Sequence, residues 1–259
     1  MNYIIYPKDL KKIFDEPQNF LILGKEDDNQ TCIEALLESI SENAPDEVEF
    51  VLIDTRNTFK KYENDPHLFL PRITDAHEGV KTLELLVSEM EKHYQMLSEN
   101  HVRNIVEYNQ KADPSSKMPF IYIIIDDLKD IVAFDDECSW EPIVRIAQEG
   151  KCCGFRVFVA IRNTKTKRKH QERIIRSNMD IAIVTPDFED EDDLNTLKRT
   201  AYLEDDIYVV VVNQKDLEIV QEKLGIDRFS TKWSILSSQT LTKCSWKNSI
   251  STTAAQPTH

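Results

Sequence analysis

Six short apolar runs constrain this chain more than any other feature: FLILG (20–24), EFVLID (49–54), FIYIIID (120–126), RVFVAI (156–161), DIAIVT (180–185) and IYVVVV (207–212). Each is rich in β-branched and aromatic residues, is bounded by polar ones, and reads as a buried strand. They are apolar on both faces instead of alternating, which is the pattern of strands covered on both sides. Between most of them lie segments with helical spacing. The longest runs from His77 to about Glu99, with Val80, Leu83, Val87, Met90, Tyr94 and Leu97 on one face. Alternating strands and helices predict an α/β domain with a mostly parallel central sheet flanked by helices. At 259 residues the chain suits one such domain over 1–236. The Ser/Thr-rich remainder, 237–259, has Trp246 as its only strong anchor and reads as a mobile tail.

Composition removes several classes of function. No apolar run approaches the ~18 residues of a membrane span. Lys8, Asp9, Lys11 and Lys12 interrupt any signal-peptide core. The expectation is a chain with no membrane insertion of its own, cytoplasmic, and tethered to a membrane only through a larger chain or complex. Five cysteines, with no C-x-x-C and only Cys152 and Cys153 adjacent, oppose a zinc site or a disulfide framework. His67, His77, His93, His101 and His170 lack metal-ligand spacing. A formal charge of -14 opposes bulk DNA binding, which draws its affinity from Lys and Arg neutralising phosphates. The basic stretch Lys165–Arg176 could touch DNA or an acidic partner but reads more simply as a solvated helix start, and the acidic stretch Asp187–Asp193 could take a metal or a partner but suits the positive end of a helix dipole.

One strand-to-helix junction carries a candidate chemistry. FLIL leads into LGKEDDNQT (23–31), and an amphipathic helix predicted over Thr31–Asn43 leads out. Strand, loop and helix in that order are the setting of a phosphate loop, G-x4-G-K-[S/T]. Its glycines let backbone N–H groups converge on phosphate oxygens, its lysine reaches the terminal phosphates, and its hydroxyl binds magnesium. On that template Gly24 is the first glycine, Asn29 stands for the second, Gln30 for the lysine and Thr31 for the hydroxyl. Asn29 tolerates a left-handed backbone better than most residues, so the loop shape can persist with Thr31 capping the helix. Losing the lysine removes a charge-assisted contact worth about 1.5–3 kcal/mol. Glu26, Asp27 and Asp28 also place negative charge where a triphosphate would lie. On spacing alone, an ordinary acidic strand-to-helix turn is the simpler reading.

The second element is PFIYIIIDDLKDIV (119–132), an apolar strand ending in two carboxylates. In a Walker B strand the first acid, here Asp126, orients magnesium, and the second, here Asp127, polarises the attacking water. Asp126 is expected at the end of the strand neighbouring the one that feeds the loop.

The phrases VEFVLIDTRN, EMEKHYQ, VRNIVEYN and RIAQEGKCCG, together with PFIYIIIDD, resemble the motor core of the FtsK/SpoIIIE family of DNA translocases, in order and over about Asp9 to Pro186. The resemblance implies a RecA-like P-loop NTPase core that assembles into hexamers and moves DNA or, in secretion systems, handles protein. It implies a nucleotide site at Gly24, Asn29, Gln30 and Thr31, with Asp126 and Asp127 as catalytic acids. Thr31 and Asp126 are implied as magnesium ligands where nucleotide binds. The departures fall on these positions. Asn29-Gln30 replaces Gly-Lys, Asp127 replaces a Glu, and Arg162 stands at the family's sensor Gln in Ala160-Ile161-Arg162-Asn163-Thr164. The segment from Tyr202 to Asp206 replaces a glycine-rich one. The expectation is a degenerate Walker A module with no required cofactor, at most weak Mg-ATP binding and little or no hydrolysis. Its partners would be other family ATPase domains or protein substrates, in a homo- or hetero-hexamer of a translocation or type VII secretion machine. The alternative is a divergent translocase that still binds ATP and DNA. Beginning about 20 residues before the loop, the chain resembles an isolated or excised core.

Overall fold

The computed structural model describes residues 2–5, 10, 14, 18–134, 140–162, 174–175, 177–185, 206–210 and 233–235. Eight strands form one sheet: β1 (Asn2–Ile5), β2 (Phe20–Gly24), β3 (Val48–Ile53), β4 (Phe120–Ile125), β5 (Phe155–Arg162), β6 (Ile181–Val184), β7 (Asp206–Val210) and β8 (Trp233–Ile235). Their order is β3-β4-β5-β2-β6-β7-β1-β8, and every pairing is parallel. The helices are α1 (Glu26–Ile40), α2 (Ala76–Glu99), α3 (Ile105–Lys111), α4 (Leu128–Phe134) and α5 (Glu141–Glu149). Parallel neighbours need crossover connections, and the helices supply them. The expected α/β class with a parallel sheet is what the chain forms.

All six apolar runs are strands, displaced by at most two residues at an end. β1 and β8 were not legible in the sequence. With four and three residues they show no periodicity of their own, and they exist through pairing, β1 lying between β7 and β8. A second correction concerns order. β4 is not the neighbour of β2, because β5 lies between them, pairing Leu21 with Val159 on one side and Ile123 with Val157 on the other. Apolar patterning gives each strand but not which strand it pairs with.

Strand residues alternate between two cores. Leu21, Val51, Ile53, Ile121, Ile123, Ile125, Phe155, Val157 and Val159 pack on one face with residues of α2 to α5. Phe20, Ile22, Phe50, Leu52, Ile124, Phe158 and Ala160 pack on the other with Cys32, Ile33, Leu36, Leu37 and Ile40 of α1. This two-sided burial is why the strands read as continuous apolar runs.

The expected helix from His77 to Glu99 is α2, but its buried face is rotated. Gly79, Leu83, Leu86, Met90, His93 and Leu97 are buried, while Tyr94 is 37% exposed. Gly79 lets the backbone approach the sheet closely: a Cβ there would lie 2.9 Å from Ile131 Cδ1 and 3.2 Å from Ile53 Cγ2. That contact sets the face, and His93 joins it by bonding its Nδ1 to the Cys153 carbonyl at 2.9 Å. His93 is thus a packing residue. Asp75 caps the helix by accepting from Glu78 N at 3.0 Å.

Among the described residues no helix is long and apolar enough to cross a membrane, and no group of three or more His, Cys, Asp or Glu could hold a metal ion. Described cysteines 32, 152 and 153 are free thiols. Most of Lys165–Arg176, all of Asp187–Asp193, residues 202–205, Asn163, Thr164, His170 and the 237–259 tail lie outside the described residues.

Candidate functional site

The carboxyl ends of β2, β3, β4 and β5 lie side by side, with Gly24 in register with Arg162 and Ile53 in register with Ile125. This edge of a parallel sheet is where ligands of open α/β folds bind. Gly24, Asn29, Asp126, Asp127 and Arg162 all come to it, as their sequence positions predict.

The stretch after Gly24 is not a loop. Helix α1 begins at Glu26, with only Lys25 between strand and helix, and ends at Ile40. The helix expected over Thr31–Asn43 is therefore displaced toward the N-terminus. KEDDNQ contains no glycine to resist helix propagation, and Glu26, Asp27 and Asp28 favour the first turn through the helix dipole. The residues that would repel a triphosphate are the ones that favour starting the helix early.

This changes the expected roles. Asn29 is helical, not left-handed; among described non-glycine residues only Asn57 and His101 have positive φ. Its backbone N–H donates to the Lys25 carbonyl at 2.9 Å, a helical bond that takes it out of any phosphate cradle. Thr31 caps nothing. It is exposed, inside the helix, and its hydroxyl donates to the Asp27 carbonyl at 2.9 Å. Gln30 Nε2 donates to Glu34 Oε1 at 3.1 Å. Gly24 is needed for close packing, since a Cβ there would lie 1.5 Å from Thr185 Oγ1 and 2.8 Å from its Cβ.

Asn29 is nearly fully buried, and its Nδ2 donates to the Ile161 carbonyl at 3.3 Å. Its Oδ1 has no partner. The cleft beside it, walled by Glu26, Gln30, Arg56, Asp126 and Arg162 among others, holds about 10 Å³. That is room for about one water molecule.

The two carboxylates past β4 have different surroundings. Asp126 Oδ1 accepts from Thr55 N at 3.2 Å and Thr55 Oγ1 at 3.1 Å, and its Oδ2 accepts from Arg56 N at 3.2 Å. Burial pushes its pKa up to about 7, with the Asp54 charge adding to the rise and the Thr55 and Arg56 donors opposing it. Asp127 is fully buried. Its Oδ1 accepts from Lys129 N at 3.1 Å, opening α4, and its Oδ2 accepts a charge-assisted bond from Arg162 Nε. Asp126 and Thr31 thus have hydrogen bonds running to different partners.

Arg162 does more than occupy the sensor position. It also reaches Asp130 at 3.6 Å and Glu26 at 3.8 Å. A second guanidinium, Arg56, lies 3.0 Å from Glu26, 3.6 Å from Asp130 and 3.8 Å from Asp127. Glu26 of α1 and the acids after β4 are thereby tied together across the cleft by two arginines.

Sequence reading missed Thr55, Arg56, Asp130, Asp54 and Arg72. The available signal was IDTRN, a polar cluster directly after a buried strand at the same sheet edge. Asp54 is fully buried and organises the turn that presents Thr55 and Arg56. Its carboxylate accepts from Thr58 N at 2.8 Å and Phe59 N at 2.9 Å, and pairs with Arg72 Nη1 at 2.6 Å.

The raised pKa of Asp126 gives a signed expectation. The folded chain holds this proton up to about pH 7, whereas an ordinary carboxyl with a pKa of 3.8 releases it earlier. Between roughly pH 4 and pH 7 the folded state binds more protons than the unfolded one, so Asp126 lowers stability progressively as pH rises through that window. Asp126→Asn removes this loss. Urea denaturation should find the variant gaining on the wild type, between pH 5 and pH 8, by on the order of 2 kcal/mol. Parallel pH profiles for the two proteins would contradict the burial argument.

Comparison with known proteins identifies the family and the fold. The family model described as FtsK/SpoIIIE family matches residues 8–195. DNA translocase SftA of Bacillus subtilis is 34% identical over 157 residues, covering 59% of this chain and 16% of that protein. DNA translocase FtsK of Helicobacter pylori is 34% identical over 128 residues, covering 48% and 15%. The chain thus spans about a sixth of the length of these relatives. Among solved structures, the cytoplasmic domain of EssC matches with a TM-score of 0.52 at 18% identity, covering 79% of this chain and 35% of that one. The cytoplasmic domain of the Thermomonospora curvata type VII secretion ATPase EccC matches with a TM-score of 0.55 at 18% identity, covering 65% and 20%. The structural likenesses share the P-loop ATPase fold, and the family match extends over most of the sheet described above: this chain belongs to the FtsK/SpoIIIE family.

Proposed function

We propose that this chain is a non-catalytic or weakly catalytic FtsK/SpoIIIE module that works by contact with other ATPase domains or protein substrates in a translocation or type VII secretion machine. The observation that carries this reading is the early start of α1 at Glu26, which makes the stretch aligned with a phosphate loop helical. Three further features support it. Gln30 offers no cation, Arg162 neutralises Asp127 where a water-activating acid would act, and the cleft beside Asn29 holds only about 10 Å³.

The second reading, a translocase that still binds ATP and DNA, draws on the names of the matched relatives. Against it stands the charge of -14. Calorimetry with Mg-ATP separates the two: no heat at micromolar nucleotide and no phosphate release above background are expected. Micromolar binding with steady turnover would reverse the order of the readings.

A restoration experiment sharpens the same point. Replacing Lys25–Gln30 with a glycine-containing loop that ends in Gly-Lys before Thr31 returns backbone donors and a cation. Arg162→Gln releases the acids. Together these should raise Mg-ATP affinity by about 10- to 100-fold, the worth of a charge-assisted contact, and by more than the loop exchange alone. Hydrolysis stays poor, because Asp127 is shorter than the family Glu. A folded combined variant with unchanged affinity would refute the proposed register of the loop.

A further inference from the structure

At the opposite end of the sheet, below the amino ends of β3, β4 and β5, lies a cavity of about 430 Å³. Phe14, Leu36, Ile40, Val48, Met118 and Phe120 give it apolar walls. This volume is in the range of small-molecule sites.

One residue in it has no apolar reason to be there. Arg156 lies on the same face of β5 as Phe158 and Ala160, in register with Tyr122, and is only 4% exposed. Its Nη1 donates to the Lys151 carbonyl at 3.0 Å and the Phe155 carbonyl at 2.7 Å. Its Nε is buried with no partner. Among the described residues no carboxylate pairs with it, since Asp180, the acid in its electrostatic surroundings, is held by Lys151 at 2.6 Å and by Asn19 N at 2.8 Å. Burial pulls the guanidinium pKa below its ordinary value, so the charge is kept at a cost. A buried cation with a spare donor stays unfavourable until an anion meets it.

Two amide side chains of the wall are tied up within it. Asn109 clamps Met118, donating to its carbonyl at 2.8 Å and accepting from its N–H at 2.9 Å. Asn43 Nδ2 donates to the Ser39 and Ile40 carbonyls at 3.2 Å each. Arg156 is thus a buried charge beside apolar walls, with no carboxylate partner among the described residues. At the mouth, exposed Asp46 and Glu47 outnumber Lys117, a rim that repels multiply charged anions.

From these features we infer that the cavity binds a small monocarboxylic acid with an apolar body, its carboxylate against Arg156 and its body against the apolar walls. The site is separate from the carboxyl end of the sheet, so it stands or falls independently of the nucleotide question.

The test is calorimetry and ligand-observed NMR on the full chain with octanoate, its uncharged analogue octanamide, and octyl phosphate. Octanoate should bind saturably and octanamide about 10-fold more weakly, the difference between a charge-assisted and a neutral hydrogen bond. Octyl phosphate, as a dianion, should bind more weakly than octanoate. Arg156→Met, checked for folding by circular dichroism, should erase the preference for carboxylate over amide, and Arg156→Lys should keep part of it. The double variant Asp46→Lys with Glu47→Lys, at two exposed positions and likewise checked for folding, should strengthen octanoate binding about threefold at low salt. Absence of octanoate binding, equal binding of acid and amide to the wild type, or a carboxylate preference that survives Arg156→Met would overturn the inference.

Discussion

Arg72→Leu should destabilise the protein by about 3–5 kcal/mol, the usual cost of removing one partner from a buried ion pair. Asp54 is fully buried, and the side chain of Arg72 is 6% exposed at 2.6 Å from it. Among the described residues no other cation lies within ion-pair distance of Asp54, so the charge left behind has only the Thr58 and Phe59 amides to accept from. A loss of this size is about a fifth or more of the stability of a typical domain. The consequence reaches the candidate site, because the turn Asp54 organises is the one that presents Thr55 and Arg56 to Asp126. Chemical denaturation gives the measurement. Adding Asp54→Asn to Arg72→Leu removes the orphaned charge and should recover a good part of the loss. A double variant no more stable than Arg72→Leu would show that lost packing, not the charge, set the cost.

Arg162→Met is the second large effect, and it should be smaller, about 2 kcal/mol. Asp127 is as buried as Asp54, but its environment has a reserve: Arg56 Nε stays 3.8 Å away, and Lys129 N still donates at 3.1 Å. The Arg162 side chain is also 22% exposed, so water shares the task of solvating what remains. If the ion-pair network is the reason for the cost, Asp127→Asn should be far less harmful in the Arg162→Met background than in the wild type. The double-mutant coupling measures that interaction directly. Additive effects would mean that the arginine and the aspartate do not stabilise each other. The outcome matters for evolution of the site as well as for stability. A module whose sensor-position side chain neutralises its own acid has an internal replacement for the charges a nucleotide would bring.

What the sequence determined by itself is the layer structure and the address of the site. Apolar runs such as FIYIII and RVFVAI can only be strands covered on both faces, and the helical spacing between them supplies the covers. The order of family phrases placed Gly24, Asp126, Asp127 and Arg162 at one sheet edge. These features are local or repeat along the chain, so they are legible one segment at a time.

Tertiary structure decided the rest. The short strands β1 and β8 have too few residues to carry a pattern and are made by their neighbours. The insertion of β5 between β2 and β4 is a choice among pairings that apolar patterning leaves equivalent. The buried face of α2 turned toward Gly79 because only a residue without a side chain lets the helix approach Ile53 and Ile131. The meaning of LGKEDDNQT was settled in the same way. Its spacing allowed a phosphate loop, but without glycine the helix extends back to Glu26, where Arg56 and Arg162 from two other strand ends meet its charge. Those arginines are 30 and 136 residues away in the chain, and only folding brings them to it.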